Sequence, residues 1–311
     1  MRSSHPNGCG RSWSAVSPST GNAGGSASPS TMASIRSKRK KGGDGVAETV
    51  RLAVEQGVAR ITLARPRHRN ALDRATCQAL VHALVQAGED PTVRVILLSG
   101  EGGHFSAGAD LGEVAAAQAQ GADAVRQVFQ GVADGILAVE RSPVPVVGMV
   151  AGAALGGGLG LAAACDILYV ADDARLGLPE LQIGLFPMVV LAPILRSLGR
   201  KKALELIFSA GILDGAEAAR LGLATRSFPR QELERATEAL LRRIAQFPPR
   251  ILRLGRRAVV QADGLGLAQA VPWLVEAITV AALTEEARQG VAAARAPRAA
   301  GSPPGGGEGA G

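Results

Sequence analysis

The segment Glu101-Gly-Gly-His-Phe-Ser-Ala-Gly-Ala-Asp-Leu111 is a glycine-rich loop that follows an apolar run and precedes a helical pattern. Small residues at Ala107, Gly108 and Ala109 let a ligand approach the main chain, where unpaired N–H groups can receive a developing negative charge. On glycine content alone, a plain loop is an equal reading. A second turn, Gly152-Ala-Ala-Leu-Gly-Gly-Gly-Leu-Gly160, again lies between an apolar strand and a helix, so a helix N-terminus faces whatever the first loop faces. Two such turns invite a shared anion. The spacing differs from the G-x-G-x-x-G of a dinucleotide site, and no acidic ribose partner follows. In a third segment, Arg175-Leu-Gly-Leu-Pro-Glu-Leu-Gln-Ile-Gly-Leu-Phe-Pro187, Glu180 is a lone acid flanked by apolar residues. If buried, such a carboxyl has a raised pKa and can shuttle protons near neutral pH; a solvated or salt-bridged glutamate is the alternative.

These segments need a scaffold, and the chain between them alternates. Val50 to Val54 and Val58 to Leu63 flank Gln56-Gly57 and predict a hairpin. Asp73 can cap a helix to about Glu89, and Val93 to Leu98 is a continuous aliphatic run, as expected of a strand covered on both faces. Helix 121 to 140, strand Val144 to Val150, helix 157 to 165 and strand Ile167 to Val170 repeat the alternation, which predicts an α/β protein with right-handed parallel crossovers. Beyond about residue 187 the apolar stripes are helical, in 188 to 198, 201 to 210, 231 to 246 and 250 to 262.

Composition narrows the class. The chain has 311 residues, 47% hydrophobic and 3% aromatic, so small and aliphatic side chains must build the core. Part of the net charge of +7 sits in one run, Arg36, Lys38, Arg39, Lys40 and Lys41, which reads as a solvated tail; a positive surface also suits a polyanion. No aromatic-interleaved basic patch or zinc spacing points to nucleic acid. Cys9, Cys77 and Cys165 are too few and scattered for a disulfide framework or a metal cluster, so a reducing cytoplasm is expected. The uncharged stretch from Ser142 to Cys165 is long enough for a bilayer, but Pro143, Pro145 and six glycines break it. No membrane span is expected.

Residues 1–45 are rich in Ser, Gly and Pro without an apolar period, and are expected to be disordered. They are acid-poor, as an organellar transit peptide is, and lack a signal-peptide core; Met32 offers an alternative start that would leave residues 1–31 untranslated. A core over 46–248, a C-terminal helical part over 249–296 and an unstructured tail over 297–311 complete the expected organisation.

Taken together, and joined upstream by Arg65-Pro-Arg-His-Arg-Asn-Ala-Leu-Asp73, these segments resemble the crotonase (enoyl-CoA hydratase/isomerase) superfamily. The match covers most of 48–296 and continues in Leu198-Gly-Arg-Lys-Lys-Ala-Leu-Glu-Leu206, Ala216-Glu-Ala-Ala-Arg-Leu-Gly-Leu223 and Thr284-Glu-Glu-Ala-Arg-Gln-Gly-Val-Ala292. The resemblance implies a ββα spiral core with a helical C-terminal trimerisation part, a homotrimer or dimer of trimers, and an acyl-CoA thioester as substrate with no further cofactor. It implies backbone donors at Ala109 and Gly157 for the thioester oxygen, and Glu180 as acid/base. For CoA it implies main-chain groups around Ala107, with Leu111 nearby and Arg67 and Arg69 for the phosphates; solvated surface arginines are an equal reading. His68 reads as a surface residue, and Asn70 and Asp73 as turn and cap.

The sequence also departs from the family pattern. Hydratases of the family carry two glutamates that hold a water. Here the first position is Gly160 and only the second, Glu180, is an acid. One base can move a proton between two carbons of an enolate, so double-bond isomerisation from 3-enoyl-CoA to 2-enoyl-CoA is the favoured expectation. Hydration using another acid such as Glu113, acyl-CoA hydrolysis or decarboxylation, and a non-catalytic CoA-binding subunit are the alternatives. Phe186-Pro-Met-Val-Val190 replaces a usual glycine-rich turn, and the C-terminus lacks the aromatic and basic ending of relatives.

Overall fold

The computed structural model describes residues 48–295, so the expectations for 1–45 and 297–311 lie outside the described residues. The described residues open with the hairpin β1 (Val50–Glu55) and β2 (Val58–Leu63), turned at Gln56 and Gly57, both with positive φ. Then follow α1 (Arg74–Glu89), β3 (Val95–Gly100), α2 (Leu111–Gln120), α3 (Ala122–Glu140), β4 (Val146–Val150), β5 (Ala153–Leu155), α4 (Gly157–Ala163), β6 (Ile167–Ala171) and β7 (Arg175–Gly177). The remainder is α5 (Leu191–Phe208), β8 (Ile212–Asp214), α6 (Gly215–Arg220), β9 (Arg226–Phe228), α7 (Arg230–Ala245), α8 (Pro249–Asp263), α9 (Leu267–Ala282) and α10 (Glu285–Arg295).

A six-stranded sheet runs β1-β2-β3-β4-β6-β9, parallel except for the first pair, and β5-β7-β8 form a smaller sheet. The aliphatic run in β3 is buried on both faces because successive side chains alternate. Ile96 and Leu98 join the main core with α1, while Val95 and Leu97 meet Leu241 of α7 on the other side. Glycines bring helices close: a Cβ on Gly131 of α3 would lie 3.2 Å from Cys77 Cβ of α1.

Several boundaries differ from the sequence expectation for physical reasons. Pairing in β4 begins at Val146 rather than Val144 because Pro145 has no N–H to donate; its carbonyl accepts from Ile96 instead. The stripes 188–198 and 201–210 become a 3₁₀ turn (Met188–Val190) and one element, α5, broken at Gly199 with φ 67°. The small sheet and β9 were not foreseen, since three-residue strands carry too little periodicity.

α8 is fastened by two arginines. Arg253 donates to Gly88 O and Asp90 O at the end of α1, and buried Arg256 donates to Val139 O, Glu140 O and Ser142 O at the end of α3. Each guanidinium satisfies carbonyls that a helix C-terminus leaves unpaired. Beyond α8, Leu267, Val271, Val275 and Ile278 of α9 lie exposed. Among the described residues no single helix is long and apolar enough to cross a membrane.

Candidate active site

The four segments singled out in the sequence are laced together by short stretches of backbone pairing. Leu72 N donates to Gly108 O at 2.8 Å and Asp110 N to Leu72 O at 3.2 Å; Ser106 pairs with Ala154, and Gly156 N donates to Gly177 O at 2.9 Å. Because Leu72 bonds the residues on either side of Ala109, the N–H of Ala109 points away and meets no described acceptor. Gly157, the first residue of α4, likewise has no intrahelical acceptor for its N–H.

These two amides are neighbours. A Cβ on Gly157 would lie 3.6 Å from Ala109 N, and one on Gly108 would lie 3.1 Å from Gly157 N and 2.7 Å from Leu155 O. Gly108, with φ 90°, is therefore the residue whose lack of a side chain permits the approach. Asn70 holds the loop behind it. Fully buried, its amide donates to Glu101 O and His104 O and accepts from Arg65 N, while Ser106 Oγ donates to Asn70 O and accepts from Gly108 N.

Glu180 sits in the 3₁₀ turn Pro179–Ile183 that follows β7. Its Oε1 lies 2.7 Å from where a Cβ on Gly156 would stand, and its buried Oε2 has no partner among the described residues. Removal from water raises its pKa above the ordinary 4.5, opposed in part by a hydrogen bond from its own N–H. Gly156, with φ 52°, thus places the carboxyl one residue from the unengaged amide of Gly157.

The remaining sequence candidates fall as follows. Arg67, His68 and Arg69 are exposed on and just after the turn Pro66–His68, and neither arginine forms an ion pair among the described residues. Arg69 O accepts from Ala107 N at 2.9 Å, so the turn is tied to the loop and the Ala107 N–H is not free. Leu111, 56% exposed, begins α2. Asp73 caps α1 through Thr76 N, as expected. Glu113 is engaged elsewhere: it accepts from Arg74 N at 2.7 Å and pairs with the Arg74 guanidinium, neutralising the N-terminus of α1.

Sequence reasoning overlooked Arg65, whose guanidinium is largely buried and joins Asp73 to Asp110. Its position directly before Pro66, amid other arginines, carried no sign of burial. Among the described residues no cluster of His, Cys, Asp or Glu could hold a metal ion. A cleft of about 660 Å³ between α1 and α3, lined by residues such as Cys77, His82 and Leu137, includes none of Ala109, Gly157 and Glu180.

Two neighbouring amides without a described acceptor, next to a desolvated carboxyl packed on Gly156, are groups of the kind that can hold a developing oxyanion and move a proton. The profile of the enoyl-CoA hydratase/isomerase family matches residues 53–293, and the chain belongs to this family, within the crotonase superfamily. Among its relatives, the protein named probable enoyl-CoA hydratase of Mycobacterium bovis is 34% identical over 79% of this chain and 94% of its own. Mitochondrial enoyl-CoA hydratase domain-containing protein 3 of Rattus norvegicus is 34% identical over 65% of this chain and 67% of its own. Among solved structures, Pseudomonas aeruginosa AtuE superposes with a TM-score of 0.76 at 32% identity, covering 80% of this chain and 97% of that one. Human enoyl coenzyme A hydratase domain-containing protein 3 superposes with a TM-score of 0.76 at 28% identity, over 79% and 96%. The fold is that of the crotonases.

Proposed function

We propose that this chain binds an acyl-CoA thioester and moves the double bond of a 3-enoyl-CoA to the 2-position. The N–H groups of Ala109 and Gly157 donate to the thioester oxygen, and the Glu180 carboxylate takes a proton from C2. The electron pair of that C–H bond delocalises onto the oxygen, giving a dienolate. Glu180 then returns the proton to C4, leaving the C2=C3 alkene. Each amide is of a type whose removal costs about 2.7–4 kcal/mol of transition-state stabilisation.

The observation that carries the reading is the solitary carboxyl: Glu180 packs against Gly156, the residue before Gly157, Gly160 offers no second acid, and Glu113 is bound to the start of α1. The exposed Arg67 and Arg69, tied to Ala107, fit the CoA phosphates. The apolar outer face of α9 supports a homotrimer or dimer of trimers, which sedimentation at several concentrations checks.

The test is to give purified protein 3-enoyl-CoA and 2-enoyl-CoA separately while following conjugated thioester absorbance. A gain with the first and no loss with the second is expected. Loss with the second alone means hydration, and silence with both means a CoA-binding subunit; either refutes the isomerase reading.

A further inference from the structure

We propose that Val190 is the residue that restricts this site to one acid. Its side chain fills the volume in front of Gly160 and keeps water off the wall next to Glu180. The inference rests on the isomerase reading above and extends it to specificity.

The argument is steric. Gly160 lies buried on α4, three residues after Gly157 and therefore on the same helical face. A Cβ there would stand 2.8 Å from Val190 Cβ, closer still to its Cγ1, and 3.1 Å from Ile136 Cδ1. Val190 is 2% exposed and Ile136 9% exposed, so neither can swing into solvent. The valine is also stiff: β-branching restricts χ1, and its turn, Met188–Val190, is closed by Leu191 N donating to Met188 O. The backbone positions that Glu180 Oε1 and Val190 approach, Gly156 and Gly160, are one helical turn apart, with Gly160 N donating to Gly156 O at 3.0 Å.

The consequence is chemical. Hydration adds oxygen to C3 and hydrogen to C2 of a 2-enoyl thioester, and the water must first be anchored by two or more polar groups. A valine methyl anchors none. A proton on Glu180 is then returned to C4 or C2 of the dienolate instead of exchanging with solvent.

Three measurements test this. In ²H₂O, deuterium entering C4 per turnover of 3-enoyl-CoA should rise about threefold or more in Val190→Ala, where water gains access. The double variant Gly160→Glu/Val190→Gly should hydrate 2-enoyl-CoA about tenfold or more above wild type, and Gly160→Glu alone should not. In unfolding, Gly160→Ala/Val190→Ala should be more stable than Gly160→Ala alone, whether or not any variant is active.

Unchanged deuterium uptake in folded Val190→Ala overturns the proposal, as does hydration by Gly160→Glu with Val190 in place or a strictly additive loss of stability. A wild type inert towards 3-enoyl-CoA refutes the isomerase reading instead. The unfolding cycle and the double variant then judge Val190 separately.

Discussion

Replacing Glu180 by glutamine isolates the proton-transfer step from binding. The amide keeps the shape of the carboxyl packed against Gly156, and it leaves the N–H groups of Ala109 and Gly157 untouched. A positioned acid/base contributes about 10²–10⁴ in rate, equivalent to roughly 2.7–5.4 kcal/mol of barrier, so kcat of Glu180→Gln should fall by that factor. KM should change by no more than about twofold, because the lost interaction belongs to the transition state. The pH dependence gives an independent check. Burial raises the folded pKa of this carboxyl above 4.5, and the base must be ionised, so wild-type kcat/KM should climb with pH along a limb lying above that value. Folding stability moves the other way. A raised folded pKa contributes stability that is complete below the unfolded value and is lost as pH rises through the folded one. Glu180→Gln has no such loss, so its stability relative to wild type should improve as pH rises from 4.5 through that window. Steady-state absorbance kinetics and urea unfolding at several pH values supply the readings. More than about a tenth of wild-type kcat in Glu180→Gln would refute the assigned role.

Other substitutions probe the supports of the site. Gly156→Ala puts a Cβ 2.7 Å from Glu180 Oε1 on a backbone with φ 52°; it should cost about 1–3 kcal/mol in urea unfolding and lower kcat more than it raises KM. Arg256→Leu strips its hydrogen bonds from the end of α3 and leaves Asp166 without its ion-pair partner, so chemical denaturation should register a loss of about 3–5 kcal/mol. Arg67→Gln combined with Arg69→Asn, where asparagine tolerates the left-handed φ of 51°, should raise KM for the CoA substrate at unchanged kcat and flatten its salt dependence.

Much of the architecture was legible because it is local. The run in β3 reported burial on both faces, Asp73 reported the start of α1, and Gln56-Gly57 reported the hairpin. The glycines of 101–111 and 152–160 and the lone acid at Glu180 were visible as composition, and the resemblance supplied their expected roles. Boundaries slipped where one residue overrode a pattern, at Pro145 and Gly199. The short strands β5, β7, β8 and β9 were invisible because their pairing partners lie far along the chain.

What the sequence determined alone was the kind of group at each place: small residues where backbone must approach backbone, one carboxyl, and no acid at Gly160. The tertiary structure decided what those groups are free to do. The N–H of Ala109 is unengaged because Leu72 takes the groups on either side of it, and Glu113 is engaged because Arg74 faces it. The space before Gly160 is filled because Val190, thirty residues on, packs there. Periodicity and capping act over a few residues and can be read in order, whereas engagement and steric occupancy depend on which distant segments the fold presses together.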